Sequence, residues 1–334
     1  MKPLVLLLVV GAAIEPAGVA AAEWLIVLNK SDHEAVLVDP AKNAVTTRFP
    51  TGRGPHEVAV SPDGRRAYVC NYGAYRLFKD GEQPKMDPGN SISVIDLAAG
   101  AVVDTFDLGE YQRPHGIAVS RDGSRIWVTS EASQSVLELA AADGRVVTAW
   151  KTGQDISHML VPTPDETKLY VANIRSGSAT VIERASGRVQ SLPTGDGAEG
   201  IDITPDGRHV WVTNRGANTV SVIDVATDSV VASLASGGNF PIRVKFTPDG
   251  REAWVSCAQS NRVTVFDAAS RKQIAQIEVG AVPVGVQMNP TGTRVYVANT
   301  NDNKITVIDR KSRKVKGTFT TGNEPDGMGW AKAR

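Results

Sequence analysis

One short pattern occurs seven times along the chain and constrains its fold more than any other feature. Each copy is an aromatic or aliphatic residue followed by a valine-rich run that usually closes on Asn. The copies begin at Ile26, Tyr68, Trp127, Tyr170, Trp211, Trp254 and Tyr296. Successive copies start about 42 residues apart, except that the second interval is longer by about 15 residues. A fixed period of this length indicates a repeat architecture.

Each copy lies within the same order of short β-strands. An apolar strand such as 116–119 precedes the motif, a turn such as Pro205-Asp206-Gly207-Arg208 leads into it, and strands such as 219–224 and 229–234 follow. Turn residues separate runs with period two, and no helical period is found. Seven units of four strands predict an all-β, seven-bladed β-propeller, in which ring closure leaves no long sheet edge unpaired.

The two ends of the chain predict how the ring closes. The sequence enters a motif strand directly at Trp24, with no inner strand before it. Residues 325–330 have the pattern of an inner strand with no motif after it. One blade is therefore expected to be completed by both termini. We expect a single propeller domain over residues 23–334, interrupted by an insertion at about 72–90 in the second blade.

The first 22 residues have the pattern of a signal peptide. Lys2 precedes the apolar run 4–13, and small residues at 20–22 follow. This order predicts secretion, with cleavage after Ala22 and a periplasmic or extracellular location. The alternative is a membrane anchor, but the run is far shorter than the roughly 20 residues a span needs. No integral membrane segment is expected in the mature chain.

Charge and cysteine content limit the partners and the covalent chemistry. The chain has 36 basic and 36 acidic residues, so no net field attracts nucleic acid, and no nucleic-acid partner is expected. Cys70 and Cys257 fall in the motif strands of blades two and six, on opposite sides of the ring. That separation exceeds the roughly 7 Å limit for a disulfide, so two free thiols are expected.

The repeated segments carry a family resemblance. Tyr-Val-Ala-Asn at 170–173, Trp-Val-Thr-Asn at 211–214, Ser-Pro-Asp-Gly at 61–64 and Ser-Val-Ile-Asp at 221–224 resemble the YVTN-repeat β-propellers of bacterial secreted and archaeal surface proteins. The resemblance extends over residues 23–330 and implies the propeller fold. Members range from binding and surface proteins to enzymes and relatives of haem-carrying propellers, so the resemblance implies no single function.

One position in each repeat points to chemistry. In a four-stranded meander the start of the inner strand and the connection between the second and third strands share one face, here called the top face. Counting back 12 residues from the first residue of a motif reaches this start of the inner strand. In the blade completed by both termini, Asp326 is assigned to the position because it lies in the same Pro-x-Gly sequence. In order around the ring the residues are Asp326, His56, His115, His158, Glu199, Ile242 and Val284. Imidazole and carboxylate groups are preferred ligands of zinc, copper, nickel and non-haem iron.

This arc supports two interpretations. In the first, His56, His115, His158 and Glu199 bind one divalent metal ion, and Glu199 or Asp326 is a candidate catalytic group that transfers a proton. In the second, the repeat has copied a polar residue that lines a water-filled channel.

The top face also carries candidate ligand-binding residues. Guanidinium groups suit carboxylate and phosphate ligands, and long loops on rigid scaffolds often bind partners. The candidates are Arg53, Tyr72, Tyr75, Arg76, Arg113, Arg175 and Arg215. They would hold a partner protein or a small anionic ligand, with the 72–90 loop folding across the axis. Alternatively, the loop is disordered and the arginines pair with neighbouring carboxylates such as Glu131.

Three functions remain open from sequence. The first is a secreted or periplasmic binding or scaffold protein that uses the top face and the loop. The second is a metal-dependent lactonase or lyase with a central histidine cluster. The third, which the resemblance implies, is a propeller that binds haem non-covalently. The chain has no Gly-x-Ser-x-Gly, His-Glu-x-x-His or Cys-x-x-Cys-His motif, which argues against those specific enzyme and c-type haem sites.

Overall fold

The computed structural model describes residues 23–73 and 87–332. Within them, 28 strands form seven four-stranded antiparallel sheets, which are the blades of a seven-bladed propeller. The predicted fold is confirmed. The proposed signal peptide and the candidates Tyr75 and Arg76 lie outside the described residues. No helix among the described residues has the length and apolar character needed to cross a membrane.

The blades are numbered in the order of their motif strands. Blade 1 contains β1 (Glu23–Asn29), β2 (Glu34–Asp39), β3 (Ala44–Pro50) and, as its inner strand, β28 (Pro325–Lys332). Blade 2 contains β4 (Pro55–Val60), β5 (Arg66–Gly73), β6 (Pro88–Asp96) and β7 (Ala101–Asp107). Blade 3 contains β8 (Pro114–Val119), β9 (Arg125–Ser130), β10 (Ser135–Ala140) and β11 (Val146–Lys151). Blade 4 contains β12 (Ser157–Pro162), β13 (Lys168–Asn173), β14 (Ser178–Glu183) and β15 (Val189–Pro193).

The remaining three blades repeat this order. Blade 5 contains β16 (Ala198–Ile203), β17 (His209–Asn214), β18 (Thr219–Asp224) and β19 (Ser229–Ala235). Blade 6 contains β20 (Pro241–Phe246), β21 (Glu252–Cys257), β22 (Arg262–Asp267) and β23 (Gln273–Glu278). Blade 7 contains β24 (Pro283–Met288), β25 (Arg294–Asn299), β26 (Lys304–Asp309) and β27 (Lys314–Thr320). Short 3₁₀ helices follow two motif strands, at Ala258–Ser260 and Thr300–Asp302.

The repeated motif forms the second strand of every blade and lies in the core between sheets. Its aromatic residues are among the largest fully buried side chains, for example Trp127, Trp211 and Trp254. The Asn that closes most copies of the motif has a structural role, because its amide donates to a hydroxyl on the next strand. Asn214 Nδ2, for example, donates to Ser221 Oγ over 3.0 Å. This bond satisfies a buried amide at the strand end.

Both termini complete blade 1, as predicted. β1 pairs antiparallel with β28, with Leu25 opposite Trp330 and Ile26 opposite Gly329. Residues more than 300 positions apart therefore share one sheet. This pairing joins the first motif strand to an inner strand supplied by the opposite end of the chain.

Glycines allow the inner strands to approach one another at the axis. A Cβ added to Gly200 would lie 2.1 Å from the carbonyl oxygen of Ile242 in the next blade. A Cβ added to Gly327 would lie 2.2 Å from the carbonyl oxygen of His56. Around the axis the residues at this position are Gly327, Glu57, Gly116, Met159, Gly200, Arg243 and Gly285. Long side chains thus alternate with glycines, and Arg243 donates to both Glu57 and the sulfur of Met159 within the channel.

The two cysteines are free, as the predicted geometry requires. Cys70 and Cys257 are both buried. Burial raises the pKa of the Cys257 thiol to about 11 and raises that of Cys70 as well. Both thiols are therefore protonated packing groups at neutral pH.

Candidate functional site

The inner strands bring three histidines together at the top of the axis. His56, His115 and His158 are the second residues of β4, β8 and β12 in adjacent blades. The ring centroids of His56 and His115 are 5.1 Å apart, and those of His115 and His158 are 3.7 Å apart. One repeated sequence position therefore becomes a cluster of imidazoles in contact.

A second set of residues lies at the ends of the motif strands, and its members Tyr72 and Glu131 contact these histidines. It consists of the residues that directly follow each motif: Lys30, Tyr72, Glu131, Ile174, Arg215, Ala258 and Thr300. Tyr72 stacks on His56 with centroids 4.6 Å apart, and Glu131 bonds to His158. The antiparallel connection places the end of the second strand beside the start of the inner strand, so the two sets meet.

A chain of contacts runs from Tyr72 to Arg215 across the top face. The Tyr72 hydroxyl donates to Glu131 Oε2 over 2.5 Å, and His158 Nδ1 lies 2.5 Å from Glu131 Oε1. His158 Nε2 is 3.7 Å from Glu199 Oε1, and Arg215 donates to the other oxygen of Glu199 over 2.8 Å. Because 3.7 Å exceeds a hydrogen bond, the Nε2 nitrogen is not committed to Glu199.

The electrostatic environment favours neutral histidines at two positions. Burial, helped by the nearby charge of Lys30, lowers the pKa of His56 to about 4. Burial and the neighbouring histidines lower the pKa of His115 well below its usual value. Both imidazoles are therefore neutral at pH 7 and carry a free lone pair.

His115 is the less satisfied of these two. Its side chain is only 4% exposed, and its Nδ1 atom has no hydrogen-bond partner among the described residues. His56, by contrast, uses Nδ1 to donate to the carbonyl oxygen of Gly54 over 2.9 Å.

Buried ion pairs lie next to the histidine cluster. Lys30 Nζ lies 2.8 Å from Asp326 Oδ2, and Arg243 pairs with Glu57 and lies 3.9 Å from Asp326 Oδ1. Although burial opposes ionisation, Lys30, His56 and Arg243 together lower the pKa of Asp326. Burial raises the pKa of Glu57, against the opposing effect of Arg243. Asp326, a candidate catalytic group, is thus an ionised carboxylate held in an ion pair.

The predicted metal ligands are only partly brought together. Three groups each offer a ligand atom within 4.8 Å of the others, namely His115, Glu131 and His158. His56 and Glu199 do not belong to this set, and Glu199 is engaged by Arg215. Glu131 was expected only as a partner for arginines, and it contacts Tyr72 and His158 instead.

The candidate ligand-binding residues are dispersed rather than converging on one pocket. Arg53 forms an exposed ion pair with Asp87. The Arg113 guanidinium lies 5.7 Å from the ring centroid of the buried Tyr72, and Arg175 borders a shallow depression beside Asp196. Among the described candidates, Tyr72 and Arg215 are hydrogen-bonded to members of the axial cluster.

The two ends of the predicted 72–90 insertion belong to the sheet of blade 2. Tyr72 and Gly73 belong to β5, and residues 88–90 belong to β6, with Gly73 paired opposite Pro88. The added residues therefore extend two strands before they leave the sheet.

Sequence reasoning missed Glu131 and Lys30 as members of the site, although a signal was available. Both directly follow a motif, as Tyr72 and Arg215 do. Comparing that position across the seven repeats shows ionisable residues in blades 1, 2, 3 and 5. These blades also carry an ionisable residue at the start of the inner strand.

Comparisons with known proteins agree with the architecture. A family model described as a YNCE-like beta-propeller matches residues 183–294. A 6-phosphogluconolactonase from Enterobacter sp. (strain 638) is 23% identical over 222 residues, which are 60% of this chain and 62% of that protein. The match therefore spans less than two thirds of the relative's length.

Two solved structures have the same fold over most of their length. The periplasmic gluconolactonase PpgL of Pseudomonas aeruginosa aligns with a TM-score of 0.72 and 19% identity, covering 93% of this chain and 100% of that chain. Hydrazine synthase of Kuenenia stuttgartiensis aligns with a TM-score of 0.73 and 22% identity, covering 86% and 92% of the two chains. At these identities the likeness establishes a shared propeller fold.

Proposed function

We propose that this chain is a secreted or periplasmic lactone hydrolase whose reaction takes place at the top of the axis, with His158 as the proton acceptor. The observation that carries the proposal is the hydrogen-bonded series Tyr72–Glu131–His158. Two proteins to which the chain is similar are named lactonases. For this reason we choose lactone hydrolysis as the proposed reaction.

Glu131 prepares His158 for this role. A carboxylate that accepts the Tyr72 hydroxyl at one oxygen accepts the Nδ1 proton of His158 at the other. The proton on Nδ1 leaves the lone pair on Nε2, which faces the space towards Glu199. This arrangement of an orienting carboxylate and an imidazole is the one used for general-base catalysis.

The reaction needs three events that this site can support. A water molecule attacks the ring carbonyl while Nε2 of His158 takes its proton. Negative charge develops on the carbonyl oxygen, and Arg215, which is paired with Glu199, supplies a cation beside the cluster to stabilise it. The ring C–O bond then breaks, and the imidazolium returns the proton to the leaving oxygen.

A binding protein that uses the same face is the second candidate function. In that role the top face would bind a ligand and release it chemically unchanged. The other candidates are a metal-dependent lactonase or lyase and a protein that binds haem non-covalently. A Soret absorbance band in the purified protein would favour haem.

The test is a pH-stat assay of δ-lactones of aldonic acids, with and without a 6-phosphate group, in the presence of EDTA. Hydrolysis above the spontaneous rate is expected. His158→Ala and Glu131→Gln should reduce kcat/KM by roughly 10²–10⁴-fold. The control His209→Ala, in β17, should retain the wild-type rate. A rate equal to the spontaneous one would reject the metal-free hydrolase proposed here, and an equally low rate after zinc is added back would favour the binding role.

A further inference from the structure

Rigid strand ends hold His115, Glu131 and His158 in a compact triangle. Thr129 Oγ1 accepts from the backbone amide of Gly116 over 2.9 Å and donates to the carbonyl oxygen of His158 over 2.6 Å. This hydroxyl links the start of β8 to the start of β12, so it fixes the spacing of the two histidines. Their ligand atoms and a carboxylate oxygen of Glu131 lie within 4.8 Å of one another.

A second observation indicates that the triangle lacks a partner. His115 is 4% exposed, and its Nδ1 has no hydrogen-bond partner among residues 23–73 and 87–332. An orphaned polar atom at this depth is costly, and its presence in a native structure is commonly explained by a water or an ion.

We propose that a divalent transition-metal ion of the zinc class binds to His115, Glu131 and His158. Two imidazoles and one carboxylate form the ligand set of open zinc sites, which leave a fourth position for water or another small ligand. Calcium and magnesium prefer all-oxygen sites, so two nitrogens in three ligands disfavour them.

Tyr72 orients the carboxylate in this site. Its hydroxyl donates to Glu131 Oε2 over 2.5 Å, which leaves Oε1 directed at the triangle. A hydrogen bond to a ligating carboxylate fixes its direction and raises affinity. Tyr72 is therefore a positioning residue for the metal rather than a ligand.

Binding requires a small local adjustment. His158 Nδ1 and Glu131 Oε1 are 2.5 Å apart, whereas two ligands of one tetrahedral zinc ion are about 3.3 Å apart for bonds near 2 Å. The ion therefore replaces the hydrogen bond between them, and the two atoms separate by less than about 1 Å.

Metal binding also bears on catalysis, in a step that rests on the proposed hydrolase function. Once Nδ1 of His158 binds the ion, it can no longer donate the hydrogen bond to Glu131 that orients the imidazole. Zinc should therefore inhibit lactone hydrolysis.

The site is tested without any assay of activity. Mature protein freed of metal with EDTA and then desalted is titrated with Co²⁺, followed by visible absorption, and with Zn²⁺, followed by calorimetry. One ion per chain is expected. Glu131→Gln keeps the size of the side chain and should weaken binding at least roughly 10-fold, as should His115→Ala.

Two further variants separate a ligand role from a folding defect. Tyr72→Phe keeps the stacked ring and should weaken binding by roughly 10-fold. His209→Ala, in β17, should bind as wild type. Circular dichroism melting identifies any variant that fails to fold. Absence of binding to the wild type, or equal affinity in wild type and Glu131→Gln, would overturn the metal site.

The lactone assay decides the effect on catalysis separately. Adding saturating zinc to the EDTA-treated enzyme should abolish hydrolysis, and an unchanged rate would overturn inhibition. If no lactone is hydrolysed, the hydrolase proposal fails, while the metal titrations still decide the site.

Discussion

At the scale of single residues, the absence of a Cβ controls how closely neighbouring blades approach at the axis. Gly200 in β16 faces the carbonyl oxygen of Ile242, which begins the next blade. We expect Gly200→Ala to lower the free energy of unfolding by about 1–3 kcal/mol, because a Cβ 2.1 Å from that oxygen forces the strands apart. Urea unfolding measures the change.

Gly317 provides the matched control for that substitution. It lies in β27, and a Cβ added there meets no heavy atom within 4 Å. Gly317→Ala should leave stability unchanged or raise it slightly, since alanine has less conformational entropy to lose. Equal losses in the two variants would show that the close approach at Gly200 is unimportant.

His56 should make the metal-free protein less stable in mild acid. Its pKa is about 4 in the folded chain and about 6.5 when unfolded. As pH falls from about 6.5 to 4, the unfolded state gains a proton that the folded state does not, so stability decreases. The shift corresponds to a loss of up to about 3 kcal/mol.

Urea unfolding at pH 7 and pH 4.5, in EDTA, measures this dependence. His56→Gln should remove part of the loss between the two pH values, and His115 should supply a further part in the same direction. His209→Gln is the control and should retain the wild-type difference. If His56→Gln and the control behave alike, His56 is not the group that titrates.

At the scale of strands, the sequence predicted positions well and contacts less well. The period near 42 residues and the alternating runs were sufficient to predict every blade, because turn residues and β-branched runs are local signals. The same register placed His56, His115 and His158 at equivalent strand starts. Which of them would meet Glu131 was not predictable, because that contact depends on side-chain directions between adjacent sheets.

The charged pair between β4 and β20 also escaped prediction. Arg243 and Glu57 are 186 residues apart and occupy positions that are glycine in four other blades. Only the closed ring shows that both side chains enter the same channel.

Removing one member of this pair should be costly. Arg243→Met leaves the buried Glu57 carboxylate without its cation, and we expect a loss of about 3–5 kcal/mol in the free energy of unfolding. The double variant Arg243→Met/Glu57→Leu removes both charges and should recover most of the loss. Chemical denaturation of both variants tests this. A double variant as unstable as the single one would show that packing, not charge, makes Arg243 important.

At the scale of the whole molecule, stability depends on the pairing of the two ends. β28 supplies the inner strand of blade 1 and contacts the inner strands on either side, β4 and β24. Deleting residues 323–334 should lower Tm by at least about 10 °C, because it unpairs β1 and opens the ring.

Calorimetry of the deletion variant measures this effect. A chain lacking only residues 333–334 is the control, since it retains all of β28, and it should melt like the full-length protein. Similar melting of the two truncated chains would show that blade 1 does not need its C-terminal strand.

The alternation of glycines and long side chains around the channel is interrupted once, because the number of blades is odd. Seven is odd, so a strict alternation cannot close on itself and two positions of the same kind must be neighbours, here Gly285 and Gly327. The channel is therefore least filled beside that glycine pair, while Glu57, Met159 and Arg243 occupy alternate positions around the rest of the ring and contact one another. A ring of identical repeats has no preferred direction around its axis. The odd blade number supplies one, and any molecule bound above the channel meets a floor with only one orientation.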